Sequence, residues 1–227
     1  ALGFHVNVVT PSDYATFLKW MKGNDQTIIF ESDPLKAAQV TAEADFIFCL
    51  DFNHLSRINE YGEAVAASKA VKIVIDHHQY PQGFEDLMFW DDIASSTCEL
   101  VYRFIRVNEL DHLIDSDCAD CLYTGIVTDT GSFRFSSCSS ETMRIAASLM
   151  DKGIKHEEIF SRVYDSFTES RVRFIGHAIS RKMEVLHEYN TALITIDRDE
   201  LKTFGVVTGD TEGLVNYGLS IEGIKFA

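Results

Sequence analysis

The sequence lacks any long hydrophobic segment. No apolar run in its 227 residues approaches the roughly 20 residues that a helix needs to cross a bilayer. A secretory signal-peptide pattern is also absent, although the chain opens on Ala1 and not on Met. We therefore expect no membrane partner.

Basic residues are scarce as well. Lys and Arg number 20 against 35 Asp and Glu, which gives a formal net charge of −15. Such a balance repels polynucleotides and argues against a basic groove for long nucleic acid. A small anionic substrate held by metal ions remains compatible, because bound cations reverse the local field.

Cysteine is sparse, and its count is odd. The five residues are Cys49, Cys98, Cys118, Cys121 and Cys138. Their scatter through apolar segments fits the reduced thiols of a cytoplasmic protein better than a disulfide framework. Cys118 and Cys121 have the spacing of half a zinc site or a redox pair, but no second pair accompanies them. We favour packed helix residues.

The first three quarters of the chain alternates apolar runs with helical periodicity, which predicts a parallel sheet covered by helices. The predicted strands are His5–Thr10, Thr27–Glu31, Phe46–Leu50 and Val71–Ile75. The last two are continuous apolar runs and are expected to be buried on both faces. The predicted helices are Pro34–Glu43, Ile58–Ser68, one that begins near Ser95–Thr97, and 141–152.

The pattern changes after about Phe167. Thr168 is a candidate helix cap, and the strand-like runs Met183–His187 and Ala192–Ile196 follow. We predict a doubly wound, mostly parallel α/β domain over residues 1–167, a linker helix over 168–185, and the start of a smaller α/β domain over 186–227.

Ionisable residues follow two of the predicted strands directly. Asp76, His77 and His78 come after Val71–Ile75, and Asp51 comes after Phe46–Leu50. In open α/β sheets, ligands bind beyond the carboxyl ends of the strands. Two adjacent parallel strands would therefore bring these side chains to one rim. The alternative is an N-capping aspartate beside two surface histidines.

Asp129 continues an apolar helical stripe, where a carboxylate is costly unless it is paired or binds metal. The other members of the stripe are Cys118, Cys121, Leu122, Gly125 and Ile126. Carboxylates with imidazole suit Mn²⁺ or Mg²⁺, and less specifically Zn²⁺ or Fe²⁺. Two ions roughly 3.5–4 Å apart could hold an attacking hydroxide and phosphoryl oxygens. One carboxylate must bridge them, and we choose Asp51.

Several other residues have two interpretations. Arg134 either binds phosphate in a bidentate manner or pairs with Asp129. Arg57 either binds substrate phosphate or forms a salt bridge at a helix start. Ser95 and Ser96 either bind an anion at a helix N-terminus or simply cap the helix. Among the aromatic residues, Phe133 and Phe135 are candidates for stacking a base.

The strand-end motifs resemble those of the DHH phosphoesterases. Asp76-His77-His78 is similar to the family signature, and Asp51 followed by Arg57 is similar to the preceding motif. The run Gly125–Phe135 resembles one bacterial subgroup, the nanoRNA-degrading oligoribonucleases that also dephosphorylate 3′-phosphoadenosine 5′-phosphate. Ala94–Thr97 and Glu212–Asn216 are similar to the same subgroup.

The resemblance implies a metal-dependent hydrolase of short oligoribonucleotides or bisphosphorylated adenosine, with two Mn²⁺ ions in the complete protein or Mg²⁺ in their place. Asp51 would bridge the ions, and His77 and Asp129 would complete the second site. Asp76 would support the site, and His78 would lie near the substrate phosphate. We assign substrate binding to Arg134, Ser95, Ser96 and Arg57. A homodimer is compatible with this assignment.

Two motifs of the family do not occur in the sequence. The family begins with His-x-x-Pro-Asp-Gly-Asp-Ala and ends with a substrate-binding domain that contains Gly-Gly-Gly-His. We therefore expect that this chain lacks the first strand and part of the C-terminal domain. Two alternatives remain open: another DHH activity, either cyclic-dinucleotide phosphodiesterase or pyrophosphatase, and a non-catalytic nucleotide-binding module.

Overall fold

The structure is a computed structural model that describes residues 3–227, so the first two residues of the predicted catalytic domain lie outside the described residues. The chain divides into two compact units. One comprises Ala1–Asp13 and Trp20–Phe160, and the other comprises Tyr14–Lys19 and Ser161–Ala227. The predicted domain boundaries at residues 167 and 186 stay predictions.

The first unit contains two parallel sheets. Strand β1 (Val9–Thr10) pairs with β2 (Ile28–Ile29), and β3 (Phe46–Leu50), β4 (Val71–Asp76) and β5 (Leu87–Trp90) form a three-stranded sheet in that order. The helices are α1 (Pro34–Glu43), α2 (Tyr61–Ala67), α3 (Thr97–Val107), α4 (Ser116–Asp129), α5 (Ser140–Met150) and α6 (His156–Tyr164), which spans the division between the units. The predicted α/β class is confirmed.

Helices pack on both faces of the three-stranded sheet. Because consecutive side chains of a strand point in opposite directions, neighbouring residues of β4 contact different helices. On one face, Val74 belongs to a core cluster with Ala37 of α1 and Val65 of α2. On the other face, Ile75 clusters with Leu100 of α3. The sheet is therefore packed between two helical layers.

The prediction that both central strands are buried on both faces is wrong for β3. Phe46, Phe48 and Leu50 are 59%, 49% and 45% exposed, whereas Cys49 is fully buried. In the described structure β3 lies at the edge of its sheet, and one of its faces is about half exposed. An apolar run alone cannot distinguish a central strand from such an edge strand.

Several predicted elements are shorter than expected, and β5, α6 and the helix Arg198–Thr203 were not predicted. His5–Thr10 and Thr27–Glu31 contain only the two-residue strands β1 and β2. Ile58–Ser68 is a 3₁₀ turn at Leu55–Ile58 followed by α2, and the predicted helix 141–152 ends at Met150. Strand β5 was not predicted, because a four-residue apolar run carries little periodicity.

In the second unit, the Thr168 hydroxyl caps α7 (Glu169–His177), as predicted. A π-helical turn, Ala178–Lys182, leads into the antiparallel pair β6 (Met183–Leu186) and β7 (Thr191–Ile194). Helices α8 (Arg198–Thr203) and α9 (Leu214–Leu219) follow. Its core is built on Phe174, Ala178 and Leu214. No described helix in either unit has the length and apolarity needed to cross a membrane.

Candidate metal centre

Strands β3 and β4 bring their terminal acidic residues to one rim. The register pairs Leu50 with Ile75, so Asp51 and Asp76 come next on neighbouring parallel strands. The Asp51 backbone N–H donates to the Ile75 carbonyl at 3.1 Å. Asp51 has a φ of +68°, a left-handed conformation that Asp tolerates better than most residues. The predicted juxtaposition is therefore present.

The His77 ring lies between a carbonyl and two carboxylates. Its Nδ1 is 3.0 Å from the Ala94 carbonyl oxygen. Its Nε2 is 3.7 Å from Asp51 Oδ1 and 3.2 Å from Asp129 Oδ2. Because a carbonyl only accepts hydrogen bonds, Nδ1 carries a proton. In the neutral ring, the Nε2 lone pair then faces both carboxylates.

Such a concentration of electron pairs favours a bound cation. Burial raises the pKa of Asp129, the His77 ring lowers it, and the nearby Asp51 carboxylate raises it again. The Asp129 side chain is 47% exposed and belongs to the last residue of α4, so the predicted core-facing position is wrong. The helix ends where the carboxylate emerges at the rim.

The donor set fits a divalent ion. Asp51, His77 and His78 offer ligand atoms that lie within 4.8 Å of one another, and no thiolate is among them. Oxygen and imidazole donors suit Mn²⁺, Mg²⁺ and Zn²⁺. A proton on Nδ1 held by a backbone carbonyl is the usual way in which a metal-binding histidine is oriented. The residues present thus fit the metal that the resemblance implies.

His78 belongs to this donor set by distance, but its ring makes different hydrogen bonds from that of His77. Its Nε2 is 3.0 Å from Arg57 Nη2, and its Nδ1 is 2.8 Å from Asp76 Oδ1. A guanidinium only donates, so Nε2 accepts and Nδ1 donates to Asp76. Although His78 is close enough to Asp51 to share an ion, both its nitrogens are already bonded. The position of His78 near the substrate phosphate, which the resemblance implies, stays a prediction.

Asp76 is fully buried, and its Oδ2 has no hydrogen-bond partner among the described residues.

The backbone of His78 is held by two residues that the sequence did not single out. Asn53 Nδ2 donates to the His78 carbonyl at 2.7 Å, and Trp90 Nε1 donates to it at 2.8 Å. Asn53 lies inside the Asp51–Arg57 motif, whereas Trp90 had no recognisable signal.

The predicted substrate-binding residues have different environments. Ser95 and Ser96 are buried, and the Ser96 hydroxyl accepts a bond from the Glu99 backbone N–H, which confirms that it caps α3. Arg57 bonds to His78. Arg134 Nε donates to the Gly131 carbonyl at 2.7 Å, so it does not supply the expected pairing with Asp129 through that atom. Substrate binding by these four residues stays a prediction.

The loop after α4 has an unusual backbone. Gly131, Ser132 and Phe133 have φ values of +55°, +62° and +62°. The buried Thr130 organises the loop, since its carbonyl accepts from the N–H groups of both Arg134 and Phe135. The Phe133 ring packs edge-on against Tyr123, whereas Phe135 is 45% exposed. Phe135 is thus the better placed of the two for stacking a base.

Residues 4–126, more than half of the chain, match the DHH family, N-terminal domain. The crystal structure of an exopolyphosphatase-related protein from Bacteroides fragilis is similar with a TM-score of 0.91 and 41% identity, covering 96% of this chain and 64% of that one. Two curated relatives come from Bacillus subtilis (strain 168). The bifunctional oligoribonuclease and PAP phosphatase NrnA is 28% identical over 186 residues, which cover 82% of this chain and 58% of the relative.

The second relative, the cyclic-di-AMP phosphodiesterase GdpP, is 27% identical over 180 residues, which cover 77% of this chain and 26% of the relative. The chain thus matches less than two thirds of the length of each of these proteins. Both curated relatives carry the names of enzymes that hydrolyse phosphate esters. From the match over residues 4–126 and the Asp76-His77-His78 signature, we conclude that the chain belongs to the DHH family.

Proposed function

We propose that the protein is a metal-dependent phosphoesterase that hydrolyses short oligoribonucleotides, the 3′-phosphate of 3′-phosphoadenosine 5′-phosphate, or both. The observation that carries the proposal is the position of His77 Nε2 between Asp51 and Asp129, with Nδ1 held by a backbone carbonyl. The similarity to the oligoribonuclease and PAP phosphatase over 82% of the chain supports this substrate class.

In this proposal Asp51, His77 and Asp129 would hold divalent metal, which would be Mn²⁺ or Mg²⁺, and Asp51 would be the ligand common to both predicted sites. Bound ions of this kind lower the pKa of a water molecule and neutralise charge on a phosphoryl group. The protein contributes the fixed geometry of the ligands. The bond from the His77 ring to Ala94 keeps Nε2 directed at the carboxylates.

His78 and Arg57 are proposed to meet the substrate phosphate. Asp76 fixes the His78 ring from the buried side, while the Arg57 guanidinium lies against the opposite nitrogen. Only Nη2 of Arg57 is used in this bond, so its other N–H groups can donate to phosphate oxygens. The exposed guanidinium end of Arg134 is the third proposed phosphate contact. Ser95 and Ser96, at the N-terminus of α3, are the remaining residues that we propose to bind the substrate.

The charge of the chain favours short substrates. With a net charge of −15, a long phosphate backbone would meet repulsion beyond the few cationic groups at the rim. A dinucleotide or a bisphosphorylated nucleoside would contact the metal ligands and two arginines only. The homodimer and the cytoplasmic location remain predictions.

A second candidate is hydrolysis of a cyclic dinucleotide. It is favoured by the similarity to the cyclic-di-AMP phosphodiesterase over 77% of this chain. The same ligands would serve both reactions, because each cleaves a phosphate ester. The two candidates therefore differ in substrate recognition and share the metal centre.

The test is hydrolysis by metal-depleted protein supplied with Mn²⁺ or Mg²⁺. The substrates are a diribonucleotide, bisphosphorylated adenosine, a cyclic dinucleotide and pyrophosphate. We expect turnover of the first two, and its loss on addition of a chelator. Faster turnover of the cyclic dinucleotide would favour the second candidate. Nucleotide binding without any hydrolysis would contradict both and support a non-catalytic module.

A further inference from the structure

We propose that Glu99 is a positioning residue of the metal centre. It fixes the turn 94–97, and this turn orients two of the proposed ligands, His77 and Asp51. The inference rests on the proposed function, because it concerns the same site. In the sequence Glu99 lies three residues after Ser96, which is the spacing of a capping box, and that spacing does not link it to the metal centre.

The turn contacts both ligands directly. The Ala94 carbonyl oxygen is 3.0 Å from His77 Nδ1, and the Thr97 hydroxyl donates to Asp51 Oδ1 at 2.7 Å. His77 follows β4 and Asp51 follows β3, so the two ligands come from different strands. A displacement of the turn would therefore change the position of both side chains together.

Glu99 holds this turn from the buried side. Its Oε2 accepts from the Ser95 hydroxyl at 2.6 Å and from the Ser95 backbone N–H at 3.3 Å. The Thr142 hydroxyl of α5 donates to the same oxygen at 2.8 Å. Glu99 is 3% exposed and Thr142 is fully buried, so loss of this acceptor would leave buried donors unsatisfied.

The arrangement is not an ordinary capping box. In a capping box the glutamate side chain bonds to the backbone N–H of the N-cap residue, which is Ser96 here. Instead, the Glu99 carboxylate reaches one residue further back, to Ser95, next to the Ala94 carbonyl that contacts His77. This choice of partner is what links Glu99 to the metal centre.

A second anchor holds the first residue of the turn, Ala94. Arg103 Nη1 donates to Asp91 Oδ2 at 2.8 Å and lies 3.7 Å from Glu99 Oε1. The Asp91 carbonyl in turn accepts from the Ala94 backbone N–H at 3.2 Å. Arg103 thus neutralises the carboxylate on one side, while the hydroxyl groups occupy the other. Glu99 has fixed partners on both oxygens.

The test compares Glu99→Gln with wild type. Glutamine keeps the size of the side chain, but one of its two terminal groups is an NH₂ donor. That donor must face either Arg103 or the hydroxyl groups of Ser95 and Thr142, which are donors as well. Outer-shell substitutions of this kind cost about 10–100-fold in metal affinity or activity. We expect a loss of that size in Mn²⁺ affinity by calorimetry, with a similar fall in kcat and a smaller change in KM.

Thr142→Val removes one donor to Glu99 and should weaken Mn²⁺ binding in the same direction, by less than Glu99→Gln. Thr142→Ser keeps the hydroxyl and should restore the affinity. The matched control is Thr124→Val, since Thr124 is also buried but its hydroxyl donates only to the Asp120 carbonyl of its own helix. The control should change the unfolding midpoint without changing Mn²⁺ affinity.

Wild-type Mn²⁺ affinity and kcat in Glu99→Gln would overturn the inference. So would an equal loss of affinity in Thr124→Val and Thr142→Val, because the effect would then follow stability alone. A wild type that binds Mn²⁺ and hydrolyses none of the substrates overturns the proposed function only, since the affinities still test Glu99. A wild type that binds no Mn²⁺ overturns both.

Discussion

His77 in the first unit and His177 in the second both lie beside carboxylates. His77 Nε2 is 3.2 Å from Asp129 and 3.7 Å from Asp51, whereas His177 Nε2 is 2.9 Å from Glu200 Oε1. The second cluster contains its own cation, since Lys182 Nζ is 2.7 Å from the same Glu200 oxygen. Among the described residues, no Lys or Arg forms an ion pair with either aspartate of the first cluster.

The two clusters also differ in the pKa of their carboxyl groups. Hydrogen bonds from Lys182 and His177, and then from the Asp197 backbone, lower the pKa of Glu200 to about 2. In the first cluster, burial raises the pKa of Asp129 above its ordinary value. A histidine next to a carboxylate therefore carries little functional meaning by itself. The charge balance around the pair distinguishes a structural contact from a site that favours an added cation.

The sharpest test of this comparison removes each histidine in turn. His77→Ala should lower Mn²⁺ affinity by more than about 100-fold, beyond the range for outer-shell residues, and should change stability little. His177→Ala should leave Mn²⁺ affinity unchanged and should lower the free energy of unfolding by about 1 kcal/mol through the lost bond to Glu200. Calorimetry and urea unfolding measure the two quantities. Equal effects of both variants on Mn²⁺ affinity would contradict the comparison.

A second test introduces alanine at a glycine in each of two helices, α4, which ends at Asp129, and α7, which ends at His177. A Cβ at Gly125 of α4 would overlap Cys98 Sγ and come within 3.0 Å of Cys98 Cβ, whereas a Cβ at Gly176 of α7 would meet nothing within 4 Å. We expect Gly125→Ala to destabilise by about 1–3 kcal/mol through overpacking. Gly176→Ala should stabilise by about 0.4–1 kcal/mol, because alanine restricts the unfolded chain. Urea unfolding measures both changes.

Cys98 supplies the control for that prediction. Burial raises the pKa of its thiol to about 12, so the group is a neutral packing partner at physiological pH. Cys98→Ala combined with Gly125→Ala should recover part of the lost stability, because the overlapping sulfur is gone. A double variant no more stable than Gly125→Ala alone would show that another contact is responsible.

The smallest predicted effect is a change in folding stability at acidic pH that depends on Glu200. Because the folded-state pKa of Glu200 is lowered from 4.5 to about 2, its ionisation stabilises the fold above pH 4.5. That contribution is lost progressively as the pH falls from about 4.5 towards 2. Glu200→Gln should therefore show a shallower decline of the urea midpoint than wild type across this window. Parallel declines would contradict the assigned pKa.

The sequence predicted the location of the candidate site better than it predicted the sheet. Asp51 and Asp76 follow apolar runs, and such runs end at a common edge when strands are parallel. The exposed face of β3 and the four-residue strand β5 were not predicted, because exposure and pairing depend on what packs against a strand. For the same reason, the half-exposed position of Asp129 was missed.

Residue order alone determined that two carboxylates and two histidines arrive at one rim of an α/β sheet, because strand polarity places them there. Only the tertiary structure decided which histidine directs a nitrogen at both Asp51 and Asp129. His77 and His78 are neighbours in the chain, yet Ala94 holds the ring of one and Asp76 with Arg57 holds the ring of the other. Those partners come from different segments of the chain, and their hydrogen bonds select the orientation of each ring.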